Sequence, residues 1–406
     1  MAVIRPFRAV RPEPASAAAV SSVPYDVVST DEARQLATGN PISFLHVTRS
    51  EIDLPDGTDP YAPEVYAKAA RNFSVLRAEA PLVTEAEPSL YLYRLRMGGH
   101  EQTGVAACFS VDEYERGLIK KHERTRRDKE DDRTRHIIAL RAQTGVVFLT
   151  HKASSAVSTI ASAVTKEAPL FDFTASDGVQ HAIWKADARQ SAELMDVFSR
   201  IPALYIADGH HRAASAARAR EELRRGGETG DADTFIAVAF PDDQMQILPY
   251  NRIVKDLAGN TPEGFLSALR ERGIPLQIGG PAPAARRHVS MYLAGRWYDL
   301  DLSEAHPAER SHAAALDVSR LQQHVLEPLL GIGDVRTDKR IDFIGGGRGA
   351  AALQAAVDQG RASVAFAMYP VTIDDLISIS DEGGIMPPKS TWFEPKLRDG
   401  LLIHVI

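Results

Sequence analysis

"ALYIADGHHRAASAARARE", residues 203–221, decides how this chain is read. Leu204 to Ala207 are apolar and read as a buried strand, and an alanine-rich helical run follows from Ala213. Between them stand Asp208, Gly209, His210, His211 and Arg212. A glycine lets the chain turn sharply and lets a ligand approach the backbone. The first N–H groups of a helix lack intrahelical partners and carry the positive end of its dipole. A helix starting near His210 therefore offers a seat for an anion, phosphate above all. Arg212 adds a two-pronged donor for phosphate oxygens, and either histidine can donate to them or shuttle a proton. Successive helical residues lie ~100° apart, so only one of His210 and His211 faces such a ligand. The alternative is scaffolding, with Asp208 as a helix cap and an exposed polar first turn.

A length of 406 residues exceeds one ordinary core and predicts two domains. The expected division is 1–258, a core with a charged helical insertion near 111–143, and 259–406, a smaller C-terminal α/β lobe. "DLAGNTPEG" (256–264) supplies the linker-like shift. A net charge of −7 argues against a chain that coats nucleic acid, so a nucleic-acid partner is not expected. Cys108 is the single cysteine, which excludes an intrachain disulfide and a thiolate-rich zinc site. No apolar run reaches the ~18 residues of a membrane span, and the N-terminus lacks a secretory core. A cytoplasmic protein without a membrane partner is expected; a homo-oligomer stays open.

Short strands alternating with helical patterns predict a mixed α/β fold. A strand is expected at 43–48, a helix at 61–79 from the spacing of Val65, Ala69, Phe73 and Leu76, and a hairpin from 89–97 and 103–110. Residues 111–143 read as one charged helix. On it His122, Arg126, Lys129, Arg133 and His136 step by four, three, four and three and share a face. A basic stripe with acids such as Asp132 nearby can hold polyphosphate and its Mg²⁺, and Glu123 is an available base. A solvated, salt-bridge-laced helix is the competing reading.

Near the C-terminus, "MPPKSTWFEPKL" (386–397) offers Lys389, Ser390 and Thr391 as phosphate or carboxylate contacts, or else forms a surface tail. Pro395-Lys396 repeats the Pro-Lys arrangement. Tyr25, Asp26, Asn40 and His46 are candidates for substrate contacts. "RIDFIGGGRGAAALQAA" (340–356) fits the dinucleotide fingerprint only loosely and reads better as a tight turn.

Together "PFRAVRP", "PYDVVS", "NPISFLHVTRSEIDLP", "KKHERT", "YIADGHHR" and "PPKSTWFEPKL" resemble a bacterial family known as domain of unknown function 1015. The Asp-Gly-His-His-Arg run is similar to the phosphate-binding motif of the ParB–sulfiredoxin superfamily. That resemblance implies a ParB/sulfiredoxin-like nucleotide-binding core. Sulfiredoxins place a cysteine where this chain has His210, and no helix-turn-helix of the partitioning proteins follows. The free-serine kinase branch resembles the run best. It implies phosphoryl transfer from ATP or ADP, with Mg²⁺, to the hydroxyl of free L-serine, with a glutamate as base.

The expectation is therefore a small-molecule kinase. Gly209, His210, His211, Arg212, His122, Arg126 and Arg133 would handle the phosphates, and Asp208 or Asp132 the metal. Glu123, Asp208 and the histidines would act in the chemistry. Two alternatives stand beside it: a nucleotide-dependent regulatory or DNA-associated ParB-like protein, and a metal-dependent hydrolase using His122, Glu123, His210 or His211.

Overall fold

Largely apolar runs, charged only at the end of one, form the central strands, as a sheet covered on both faces requires. Val147–His151 and Thr234–Pro241 are buried throughout, and Leu204–Asp208 at all but its last residue. The structure, a computed structural model, describes residues 2–79, 81–227, 231–303 and 311–406. It divides into two units, Met1–Met245 with Pro395–Ile406, and Gln246–Glu394. The sequence reading placed the boundary at 258/259. The linker-like "DLAGNTPEG" instead turns the chain from strand Tyr250–Val254 into helix Pro262–Glu271, inside the second unit.

The first unit carries a nine-stranded sheet among the described residues. Its order is Ile119–Lys120, Leu204–Asp208, Val147–His151, Thr234–Pro241, His100–Ser110, Tyr91–Met97, Gln180–Lys185 and Phe171–Thr174, with Ile4–Arg5 also paired to His100–Ser110. Two pairings run parallel, Ile119–Lys120 with Leu204–Asp208 and Val147–His151 with Thr234–Pro241. The rest are antiparallel, so the sheet is mixed, as expected for this α/β chain. The register of Leu204–Asp208 against Val147–His151 slips between Ile206 and Asp208. Such an irregularity re-aims the end of a strand.

Helix Pro63–Ala78 buries Val65, Ala69, Phe73 and Leu76, the residues that predicted it. Helix His210–Arg225 buries Ala213, Ala216, Ala217 and Ala219. Those small side chains let it lie close to helix Arg127–Leu140, with which it packs.

Two expected elements are corrected. Residues 43–48 form a helical turn, Leu45–Thr48, not a strand. Ser43 Oγ accepts the Leu45 N–H at 3.4 Å, and local side-chain bonding of this kind outcompetes the β preference of a short apolar run. Residues 111–143 are not one helix. Val111–Glu115 stops before Gly117, at φ +74°, Ile119–Lys120 joins the sheet, and helix resumes only at Arg127–Leu140. His122 and Glu123 sit on the loop between, so the stepped basic face does not form.

In the second unit the described residues form a six-stranded sheet that runs Leu276–Ile278, Arg296–Asp301, His288–Leu293, Val364–Ala367, Tyr250–Val254, Ile341–Gly345, every pair antiparallel. Tyr250–Val254 separates Ile341–Gly345 from Val364–Ala367, so the glycine-rich turn between them is not part of a parallel dinucleotide unit. A Cβ at Gly345 would stand 2.5 Å from the Trp392 ring, and that close packing accounts for the glycine.

Candidate functional site

Gly209 makes the turn at φ +94° and ψ 29°, a left-handed conformation that favours glycine. A Cβ there would also stand 3.4 Å from Val147 Cα and 3.3 Å from Arg212 Cδ. Asp208 Oδ1 accepts the Gly209 N–H at 2.9 Å, and no side chain caps the helix, so Asp208 is not the cap of the scaffolding reading. The first intrahelical bond is Ala213 N–H to Gly209 O at 3.1 Å. The N–H groups of His210, His211 and Arg212 precede it at the positive end of the dipole.

Side chains from distant parts of the chain converge on this turn. Lys396 Nζ lies 3.0 Å from Asp208 Oδ2. Arg212, 6% exposed, donates through Nη1 to Val146 O at 2.8 Å and through Nη2 to both Asp26 oxygens at 2.9 and 3.0 Å. Two guanidinium groups approach the Tyr25 ring, with Arg133 Cζ 4.1 Å and Arg212 Cζ 5.7 Å from its centroid. Tyr25, Arg133, Arg212, Thr144 and Gly145 help line a cavity of about 30 Å³, room for one or two waters.

Electrostatics follow from burial and charge. Burial pushes Asp208 up, but Lys396 and Arg212 outweigh it and hold the carboxyl well below the usual range. Burial lowers Arg212, yet Asp26, Asp208 and Asp399 keep it firmly charged. Asp399, 2% exposed, is pushed up to about 7 by burial; Arg212 opposes that rise and Asp26 adds to it.

A pair of buried imidazoles borders the turn. His122 and His210 meet edge to face, centroids 4.4 Å apart at 86°. His210 Nε2 accepts the His122 N–H at 3.4 Å, and its Nδ1 lies 4.0 Å from Glu123 Oε2. Burial lowers His122 to about 4 and His210 well below its ordinary value, so both are neutral near pH 7. His211 points elsewhere: its Nε2 accepts the Arg126 N–H at 2.9 Å, at the start of helix Arg127–Leu140.

Other sequence candidates have bonding partners of their own. The Arg126 side chain is exposed and paired with Asp128 at 2.7 Å. Asp132 accepts from Tyr66 Oη at 2.8 Å and from Arg133 Nε at 2.8 Å. Glu130 and Asp131 pair with Arg218 on the facing helix, which fits the salt-bridge-laced reading of this segment. Asn40 Nδ2 donates to Ala19 O at 2.7 Å, and His46 Nδ1 lies 2.7 Å from Asp53, so both brace local structure. Lys389, Ser390 and Thr391 belong to the second unit; there Lys389 Nζ sits 5.2 Å from the Tyr250 ring centroid and Ser390 Oγ bonds Pro387 O.

Lys396 and Asp399 were missed as site residues. The repeated Pro-Lys of 395–396 was the signal for the first, and Asp399 left none.

As arranged, the two acids expected to hold Mg²⁺ do not fit an ion. One Asp208 oxygen serves Gly209 and the other faces the Lys396 ammonium, while Asp132 is taken by Tyr66 and Arg133. Mg²⁺ needs open carboxylate oxygens in near-octahedral array.

The family model described as "Protein of unknown function (DUF1015)" matches residues 4–319. The chain belongs to that family. No curated protein matches it. Solved structures similar to it include a conserved hypothetical protein from Pyrococcus furiosus, at 12% identity and TM-score 0.36, covering 74% of this chain and 95% of that one. A C-terminally truncated SbnI from Staphylococcus aureus aligns at 13% identity and TM-score 0.39, covering 74% and 87%. A free serine kinase in complex with AMP aligns at 11% identity and TM-score 0.38, covering 74% and 91%. No helix among the described residues is long and apolar enough to cross a membrane.

Proposed function

We propose that this DUF1015 member is a phosphotransferase that seats nucleotide phosphates at the Gly209 turn and passes a phosphoryl group from ATP or ADP to a small hydroxyl compound. The observation that carries the reading is the convergence of helix N–H groups, Lys396 and Arg212 on one strand-to-helix turn. Phosphoryl transfer asks a protein mainly for positioning and for neutralising charge on the phosphoryl oxygens. Lys396 serves as a mobile point charge that can leave Asp208 for a phosphate. Arg212 meets a phosphate directly only when Asp26, whose side chain is 39% exposed, swings away. The backbone N–H groups need no such rearrangement.

Glu123, on a loop with its side chain 40% exposed, takes the proton of the acceptor hydroxyl. Mg²⁺, if carried by the nucleotide, would neutralise phosphate charge without a ligand from Asp208 or Asp132 as they are arranged. Free L-serine is the first acceptor to try, and it rests on the sequence resemblance of the Asp-Gly-His-His-Arg run alone.

The test is incubation of purified protein with ATP or ADP, Mg²⁺ and a panel of amino acids, followed by mass spectrometry. A phosphomonoester that disappears in Arg212→Ala is expected. Absence of any product, together with no nucleotide binding by calorimetry, contradicts the proposal. Filter binding to duplex DNA separates the regulatory alternative, which requires tight, salt-sensitive association.

A further inference from the structure

We infer that His122, Glu123 and His210 form a binding site for one divalent first-row transition ion, for which zinc is the probe. Each offers one ligand atom, and these atoms all lie within 4.8 Å of one another. The donors come from two elements held side by side: His122 and Glu123 from the loop after Ile119–Lys120, His210 from the first position of helix His210–Arg225.

His122 gives the independent observation. It is 2% exposed, and beyond the nearby Ile206 backbone no group stands ready to bond its ring nitrogens, neither of which meets hydrogen-bond geometry. Leaving buried polar atoms unmatched costs about 1–3 kcal/mol each. An ion that takes the ring's one lone pair satisfies one of the two nitrogens. Edge-to-face packing at 4.4 Å leaves the rings little freedom to turn away.

The donor set selects the class of ion. Two imidazoles and one carboxylate match three-ligand zinc sites that keep an open position. Imidazole nitrogen favours zinc, iron, nickel or copper over Mg²⁺, which prefers oxygen. Around zinc, ligand atoms at ~2.1 Å stand roughly 3.4 Å apart in a tetrahedron. The cluster must therefore close by about an ångström, chiefly through Glu123, the most exposed of the three. Coordination through His210 Nδ1, the nitrogen nearer Glu123, moves the ring proton to Nε2 and gives up the long 3.4 Å contact with the His122 N–H.

The site stands on this geometry and not on the phosphotransferase reading. One consequence does rest on that reading: a Glu123 oxygen bound to zinc no longer accepts a proton, so zinc inhibits transfer.

The experiment titrates chelator-stripped full-length protein with Zn²⁺ by calorimetry, without nucleotide, and with Co²⁺ by visible absorption. The site predicts one ion per chain, the intense bands of low-symmetry four- or five-coordinate cobalt, and a loss of affinity on the order of tenfold or more in His122→Ala and His210→Ala. Glu123→Gln, a nearly isosteric change at a half-buried loop position, weakens binding in the same direction. Absence of saturable one-to-one binding overturns the inference, as does zinc affinity unchanged in Glu123→Gln and in a folded His122→Ala. A chain that binds zinc at these residues but transfers no phosphate supports the metal site and contradicts only the transferase reading.

Discussion

Lys396 reaches Asp208 at 3.0 Å from 188 positions further along the chain, and its ammonium stands beside the Gly209 turn proposed to seat a phosphate. The pair is partly buried, with side chains 17% and 29% exposed. Removing the lysine leaves a carboxylate facing burial without its main partner. Lys396→Met is expected to lower nucleotide affinity by at least about tenfold, the size of one charge-assisted contact. Calorimetry with ADP reads it; unchanged affinity removes Lys396 from the phosphate seat.

Gly209→Ala strains the backbone, because an alanine at φ +94° is disfavoured by about 1–2 kcal/mol and its Cβ presses on Val147 and Arg212. A lower urea midpoint together with weaker ADP binding is expected. A variant as stable as the parent would show that the turn relaxes at no cost.

Asp26→Asn releases one guanidinium arm of Arg212 while keeping a neutral acceptor. Stability falls by about 1–2 kcal/mol, since the pair is exposed on the Asp26 side. Affinity for inorganic phosphate rises, because Arg212 no longer has to leave a carboxylate. A fall in phosphate affinity instead makes Asp26 part of the ligand seat.

Asp399 ties stability to pH. It titrates near 7 in the folded chain against an ordinary 3.8. Between those values the folded state keeps a proton that the unfolded state has released, so this group's contribution weakens as pH rises from about 4 to about 7. His122, lowered from 6.5 to about 4, acts in the opposite sense over nearly the same window. Comparing Asp399→Asn with the parent cancels the histidine. The difference in urea midpoint should shift in the variant's favour from about pH 4.5 to about pH 8, and a constant difference contradicts the assignment.

Local pattern carried much of this architecture. The strand, glycine and helix around residues 204–225 were legible because burial and turn chemistry agree there, and helix Pro63–Ala78 followed from its apolar spacing. The 111–143 stretch was not. Its charges step at helical intervals, but Gly117 and the pairing of Ile119 with Leu204 break the chain into pieces, and that pairing is tertiary. Lys396 and Asp399 come to the site only because the C-terminal segment rejoins the first unit, for example through Ile403 against Val10. No spacing rule reports a contact of that range.

The phosphate seat itself is tested most directly by a crystal structure of the full chain with ADP. It should place phosphate oxygens within hydrogen-bond distance of the His210–Arg212 N–H groups, with Lys396 Nζ turned from Asp208 toward them. ADP bound elsewhere, with the Lys396–Asp208 pair intact, would contradict it.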